Sequence, residues 1–381
     1  MRRRIIAIVG ARGIANYGGF ETVVAELAPR LQGNGYEVVC SARMSGTSVE
    51  DEVFKGVRVI HFPFRFPRSN RIGRLFEVLY DWYFLVRCSL FLRCDVVYCL
   101  GIAGGPILLL ARSCGAATVV NLDGLEWKRP KFKMVERIYI RIAFLSSCIF
   151  SDRLILDNRK LMDFIPESVK PKAVFIPYGV SPRDRLHWDP SLPAKYVSGR
   201  SVNITSNGFW LVVARLEPDN NIHTIIEAYS RSKSRKPMIV VGSFSSPTYQ
   251  ESVTSIVSAM PAGKEVVFLG SVFDQVHLTM LRCNCFAYIH GHSVGGTNPS
   301  LLEAMSWGNM ILAHDNVFNR DVSEGNALFF RGVDDLANEM DLVDQAPERY
   351  THLGTKVDEI ARTRYRWDDV ASAYDDLFKN L

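Results

Sequence analysis

The sequence predicts an α/β protein built as two Rossmann-like domains facing across a cleft, and three observations predict it. Short apolar runs that end at glycine alternate with segments of helical apolar spacing. That alternation lapses in a Pro-, Ser- and polar-rich stretch at 181–207, and then it begins again. The length of 381 residues also suits two ordinary domains, each with ample apolar material for a core.

The first run, Ile5–Val9, is continuously apolar and stops at Gly10, as a parallel strand buried on both faces should. Three arginines precede it, but the apolar part is too short for a signal peptide. Gly13, Gly18 and Gly19 make a flexible loop, and Val23, Val24, Leu27 and Leu31 then recur at helical spacing. Residues 36–40 form the next strand. A dinucleotide fingerprint fails here. The loop is not G-x-G-x-x-G, and Ser41-Ala42-Arg43 stands where an acidic residue would hold a ribose. A short strand at Val57–His61 leads to Arg65, Arg68, Arg71 and Arg74 and an aromatic segment at 75–92. Two readings stand for that segment: a helix partly in the core, which we prefer, or a basic and aromatic surface that docks on a membrane.

Strands follow at 95–100 and Ala117–Asn121, the second running into the charge-dense Asp123-Gly-Leu-Glu-Trp-Lys-Arg129. Ligands of doubly wound sheets bind beyond the carboxyl ends of strands, which makes Asp123 a cleft candidate; the alternative is a helix cap or Asx turn. Strands at 152–156 and 173–177 complete this half, and Tyr178-Gly179 reads as an interdomain turn.

The second half repeats the pattern. Strand 209–213, a loop at 214–221 and a helix from Ile222 are followed by strands at 237–241, 266–269, 285–289, 310–313 and 327–330, then by helical segments. The strand at 285–289 opens into His290-Gly-His-Ser-Val-Gly-Gly-Thr-Asn-Pro-Ser-Leu-Leu-Glu-Ala-Met305. Pro299 suits the first helical position, so strand, glycine loop and helix start together suggest an anion site. Free N–H groups are expected at the helix end, with Glu303 in its first turn. The competing reading is an ordinary strand-to-helix turn.

Eight scattered cysteines without recurring metal-ligand spacing read as reduced thiols, which points to the cytosol; Cys283 and Cys285 are expected on one face of a strand. No apolar run reaches the ~18 uninterrupted residues of a spanning helix. Residues 1–180 carry 26 Lys+Arg against 16 Asp+Glu, a balance of +10 within a chain of net +5. That excess is either a solvated surface or an attraction to anionic lipid or a diphosphate.

Several blocks together resemble glycosyltransferase family 4, with the GT-B fold. They are Arg215 in its strand–loop–helix unit with Gly295-Gly-Thr-Asn-Pro-Ser-Leu-Leu-Glu-Ala-Met305, Arg12-Gly-Ile14 with Tyr17-Gly-Gly-Phe-Glu-Thr22, and Asn121 to Arg129. They are most similar to the rhamnosyltransferase-like branch. The resemblance implies an acceptor-side domain at 1–178, a donor domain at 179–362 and a C-terminal helix, 363–381, packing back on the first domain. It implies that Glu303 binds the donor ribose, that Arg215 contacts the diphosphate, and that Gly295, Gly296, Thr297 and Asn298 cradle it. Gly18 and Gly19 would face donor and acceptor, and Asp123 would orient the acceptor or act on its proton. His290, His292 and Asn220 are further donor-side candidates.

Three positions depart from the family pattern: Asn220 where a Lys is usual, Gly295 where a Glu is usual, and Asp123-Gly124 where His-Gly or His-Asp is usual. The missing carboxylate at 295 suggests an unusual donor sugar such as L-rhamnose, carried by dTDP. The expected reaction is retaining hexosyl transfer to a glycan or lipid-linked glycan, in surface polysaccharide biosynthesis. It would occur in the cytoplasm or peripherally on the inner membrane face, without metal, cofactor or nucleic acid. Asp334-Asp335 and Asp368-Asp369 read as solvated helix residues rather than a metal motif. The alternatives are a UDP-hexose donor, a sugar-nucleotide epimerase of the same architecture, and a non-catalytic nucleotide-sugar-binding protein.

Overall fold

The computed structural model describes residues 2–14, 18–44, 52–67, 70–122, 124, 132–181, 184–197 and 204–381, the side chains of 70–72 excepted. Asp123, Tyr17, Arg68 and residues 125–129 lie outside these. The chain divides into two compact units: Met1–Tyr178 with Trp367–Leu381, and Gly179–Arg366.

In the first unit the strands are β1 (Ile5–Val9), β2 (Glu37–Ala42), β3 (Glu52–Phe54), β4 (Val57–His61), β5 (Val96–Leu100), β6 (Ala117–Asn121), β7 (Arg153–Leu156) and β8 (Ala173–Phe175). Between them run α1 (Gly19–Gly33), α2 (Asn70–Val86), α3 (Leu108–Ser113) and α4 (Met134–Phe150). The sheet order is β3-β4-β2-β1-β5-β6-β7-β8, parallel except for the antiparallel edge pair β3–β4. Every residue of β5 is buried, which explains why its sequence shows no polar alternation. The aromatic segment is a helix from Asn70, so it starts before Leu75; it ends in one π-helical turn, Arg87–Phe91.

The second unit contains β9 (Trp210–Val213), α5 (Ile222–Arg231), β10 (Met238–Val241), α6 (Pro247–Ser258), β11 (Val266–Gly270), α7 (Gln275–Asn284) and β12 (Ala287–His290). It continues through α8 (Pro299–Met305), β13 (Ile311–His314), α9 (Val317–Val322), β14 (Leu328–Phe330), α10 (Val333–Gln345) and α11 (Thr351–Arg364). Its six strands are all parallel, in the order β11-β10-β9-β12-β13-β14. The core packs Trp210, Val212, Ile225, Ile226 and Tyr229 against Met238, Val240, Leu336 and Met340.

One expectation is corrected here. Cys283 lies in the last turn of α7 and Cys285 caps it, so the two thiols do not share a strand; β12 starts only at Ala287. The described residues of the polar stretch, 184–197 and 204–207, fall within the second unit. Arg185 donates to the carbonyls of Cys283 and Trp307, and the Trp188 ring packs at a tilt against Phe209 with ring centroids 5.0 Å apart. All eight cysteines are free, and all but Cys114 are buried.

The chain ends in α12 (Trp367–Lys379), which belongs to the first unit. The Tyr374 and Tyr98 hydroxyls lie 2.6 Å apart, the Tyr36 hydroxyl donates to Asp375 at 2.8 Å, and Phe378 is fully buried. Asp368 and Asp369 open α12, and Asp334 and Asp335 open α10, where carboxylates favour the helix dipole. Truncating a buried aromatic costs about 3–5 kcal/mol. Phe378→Ala is therefore expected to lower the first unit's denaturation free energy by about that amount, measured by urea titration. An unchanged midpoint would contradict the packing role of α12.

Candidate active site

Strand order places the site. From β9 the second sheet grows outward to β10 and β11, then reverses through β12 to β13 and β14. The loops leaving the carboxyl ends of β9 and β12 therefore diverge at a switch point, where open α/β sheets bind ligands. Arg215 leaves β9, and residues 291–298 leave β12.

The two loops are tied together by side chains. The Asn220 amide donates to the Arg215 carbonyl at 2.7 Å, and its oxygen lies 2.9 Å from His292 Nδ1. Asn221, in the left-handed region at φ 52°, donates to the Gly291 carbonyl at 2.8 Å. The Ser293 amide and hydroxyl both donate to the Asp219 carbonyl. Asn220 thus clamps loops here, where a lysine would carry charge. On the other side, the Asn316 and Asn319 amides donate to the carbonyls of His292 and His314. The bonds between Asn220 and His292, Asn221 and Gly291, Ser293 and Asp219, and Asn316 or Asn319 and His292 join residues more than twenty positions apart, and no local signal marks them.

The Arg215 guanidinium is half exposed and pairs with Glu217 at 3.4 Å. The guanidinium end of the pair faces solvent while the Glu217 side chain is 13% exposed, so Arg215 is open to a further anion. Gly295 is buried with φ +128°, a conformation that penalises any side chain. The usual glutamate is therefore incompatible with this loop's backbone as well as absent from its sequence.

The helix start differs from expectation. α8 has only seven residues; Pro299 has no N–H, Asn298 Oδ1 accepts from the Ser300 amide at 2.9 Å, and the Leu301 amide bonds the Asn298 carbonyl. Its first donors are spent on its own cap. The amides of Gly295 and Gly296 make no hydrogen bond among the described residues, so anion-donor capacity moves into the loop. Thr297, next along, is buried.

Glu303 lies in the second turn of α8, a correction to its expected place in the first. Its Oε2 is ion-paired with Arg282 of α7, and the Arg282 side chain is 2% exposed. Sequence reading missed Arg282, because a lone arginine near a helix end reads as solvated. Removing one partner of a buried pair costs about 3–5 kcal/mol, which fixes the carboxylate firmly.

His290 is buried, stacked on Tyr288, and its Nε2 has no hydrogen-bond partner among the described residues. Burial, with His314 nearby, holds its pKa down to about 3. A neutral, enclosed ring brings no positive charge to a diphosphate and offers at most a hydrogen bond; His292 is half-buried in the loop beside Asn220.

In the first unit, Gly18 precedes α1 and Gly19 begins it. A Cβ on Gly18 would come within 1.9 Å of Glu21 Oε2, so the glycine makes room for a carboxylate that sequence reading did not single out. Glu21 Oε1 accepts from the Arg12 amide at 3.1 Å. Ser41 accepts from the Gly10 amide at 3.1 Å, in the place where a ribose-binding acid would end β2. Arg12 and Arg43 both pair with Glu77. Nearby, desolvation and then Glu77 push the Asp81 carboxyl up to about 8. Among the described residues, no group of three or more His, Cys, Asp or Glu is placed to hold a metal ion.

Because the pKa of His290 in the folded chain lies below its ordinary 6.5, the unfolded chain takes up the proton first as pH falls. Stability is unaffected above 6.5 and declines from there towards about 3. One such proton gives a slope of about 1.4 kcal/mol per pH unit. His290→Gln should flatten the fall in urea midpoint between about pH 6 and 5. An equally steep fall in the variant would contradict this.

Comparisons with known proteins agree with this geometry. Residues 200–358 match the family "Glycosyl transferases group 1", and residues 3–181 match a domain of unknown function, DUF1972. No curated protein matches the chain. The structure is similar to sucrose-phosphate synthase from Thermosynechococcus elongatus, with TM-score 0.80, 15% identity and 99% of both chains covered. It is also similar to Anabaena HepE in complex with UDP-glucose, with TM-score 0.73, 15% identity and 100% of both chains covered. The catalytic domain of Arabidopsis thaliana starch synthase IV, bound to ADP and acarbose, gives TM-score 0.70 at 14% identity over 99% of both chains. Residues 200–358 thus form a glycosyl transferases group 1 domain, and the chain is a glycosyltransferase with the GT-B fold.

Proposed function

We propose that this enzyme transfers a hexosyl residue, L-rhamnose from dTDP-rhamnose, with retention at the anomeric carbon. The acceptor is a glycan or lipid-linked glycan of surface polysaccharide biosynthesis, met in the cytoplasm or at the inner membrane face. The observation that carries the donor reading is the buried Gly295 at φ +128°: a loop that excludes a carboxylate beside the donor sugar. A 6-deoxy sugar asks for one hydroxyl partner fewer.

In this reading Glu303, held by Arg282, takes the ribose hydroxyls, while Arg215 and the Gly295 and Gly296 amides take the diphosphate, with Thr297 and Asn298 beside them. Charge builds on the departing diphosphate during transfer, so fixed donors aimed there do most of the catalysis. No step calls for a metal or a cofactor. Gly18, Gly19 and Asp123 are assigned to the acceptor side.

One comparison favours a second reading, a UDP-hexose donor, because HepE was solved with UDP-glucose. Turnover of dTDP-rhamnose against UDP-glucose, UDP-galactose and UDP-N-acetylglucosamine decides between them. Activity with dTDP-rhamnose is expected, and activity confined to the UDP donors would overturn the rhamnose assignment. Arg215→Ala is expected to lower kcat by about 100–1000-fold, the typical loss for one preorganised donor, with circular dichroism unchanged. Near-normal turnover in that variant would remove Arg215 from the mechanism.

A further inference from the structure

Helix α4 is apolar on two opposite faces. Ala143, Phe144, Ser147 and Cys148 are buried against the first unit. Met134, Val135, Ile138, Ile142, Leu145 and Ile149 are between 49% and 79% exposed. Positions 134, 138, 142, 145 and 149 are spaced by four, four, three and four residues, so they form a single stripe. A helix on a water-facing surface carries polar residues there, and an exposed patch of this kind marks a docking surface.

The stripe does not stand alone. α3 packs against both α2 and α4, and Arg74 of α2 pairs with Glu136 of α4. Trp82 and Tyr139 both donate to the Ala103 carbonyl. On these neighbouring helices Leu75, Leu79, Leu109 and, in the π-helical turn, Phe91 are also exposed. Between α2 and α3 lies a groove of about 870 Å³, lined by Phe76, Leu79, Trp82, Val86, Ile107 and Leu110 among others. Ser113 and the Tyr83 hydroxyl are its main polar features.

Charge decides what covers this surface. Arg137 and Arg141 run along one edge of the stripe, and neither has a carboxylate partner among the described residues. Glu136 points to the other side, towards Arg74. A symmetric pair of chains would bring like arginines together, whereas anionic headgroups complement them. No helix among the described residues is long and apolar enough to cross a membrane.

We propose that the first unit docks on an anionic lipid bilayer through the α4 stripe and its α2–α3 neighbours, with arginines at the headgroups and a hydrocarbon chain in the groove. This rests on the membrane part of the proposed function and deepens it by naming the surface. Sedimentation with vesicles needs no donor, so its failure leaves the sugar-nucleotide reading standing, and the donor assay can fail without touching this one.

The experiment compares the full chain on phosphatidylglycerol–phosphatidylcholine vesicles with phosphatidylcholine vesicles alone. Binding is expected to require the anionic lipid. Arg137→Gln with Arg141→Gln should weaken it by about fivefold for each arginine. Ile138→Ser with Ile142→Ser should weaken it by about tenfold or more. All four side chains are exposed, and an unchanged circular dichroism spectrum and urea midpoint confirm that the variants are folded. No binding by the full chain, or binding that both variants retain, overturns the proposal. So does a dimer in solution that the isoleucine pair dissociates.

Discussion

Unit two depends on one topological fact: strand order reverses between β9 and β12, both parallel and fully buried. Adjacent strands that send their helices to opposite sides leave a gap beyond their carboxyl ends. Arg215, Asn220, Asn221 and the loop at 291–298 all converge on that gap. Their backbone conformations are adapted to it, with positive φ at Asn221 and Gly295.

Electrostatics then sorts the candidates. A half-exposed Arg215 can receive a dianion on its solvent side. An enclosed His290, with its pKa near 3, cannot. The Glu303 carboxylate is held by an arginine that is almost fully buried, so its position does not depend on a ligand. The loop amides of Gly295 and Gly296 replace the helix terminus as the anion cradle, because Asn298 and Pro299 already close that terminus. Residues 1–180 carry a +10 excess, and exposed apolar helix faces lie within the same stretch.

Much of the fold was legible because buried parallel strands are continuous apolar runs that stop at glycine or a polar turn. β1 and β4 match their runs residue for residue, and β9, β10 and β13 match within one. β3 was not legible: three half-polar edge residues carry no pattern. The stretch after Ser181 shows only a polar composition in sequence; Arg185 ties it to the carbonyls of Cys283 and Trp307, which no composition reveals. At the site, residue types were readable and partnerships were not. Arg282 lies twenty-one positions before Glu303, and their pairing exists only because α7 and α8 flank the same strand. Asn220 looked like a lost cation until its amide proved to hold two loops together.

The central claim is that a nucleoside diphosphate binds at the β9–β12 gap. Hydrogen–deuterium exchange with and without dTDP tests it most directly. Slowed exchange in peptides spanning 291–298, and its loss in Glu303→Ala, are the predicted result. Protection confined to other segments, with 291–298 exchanging unchanged, would contradict the account.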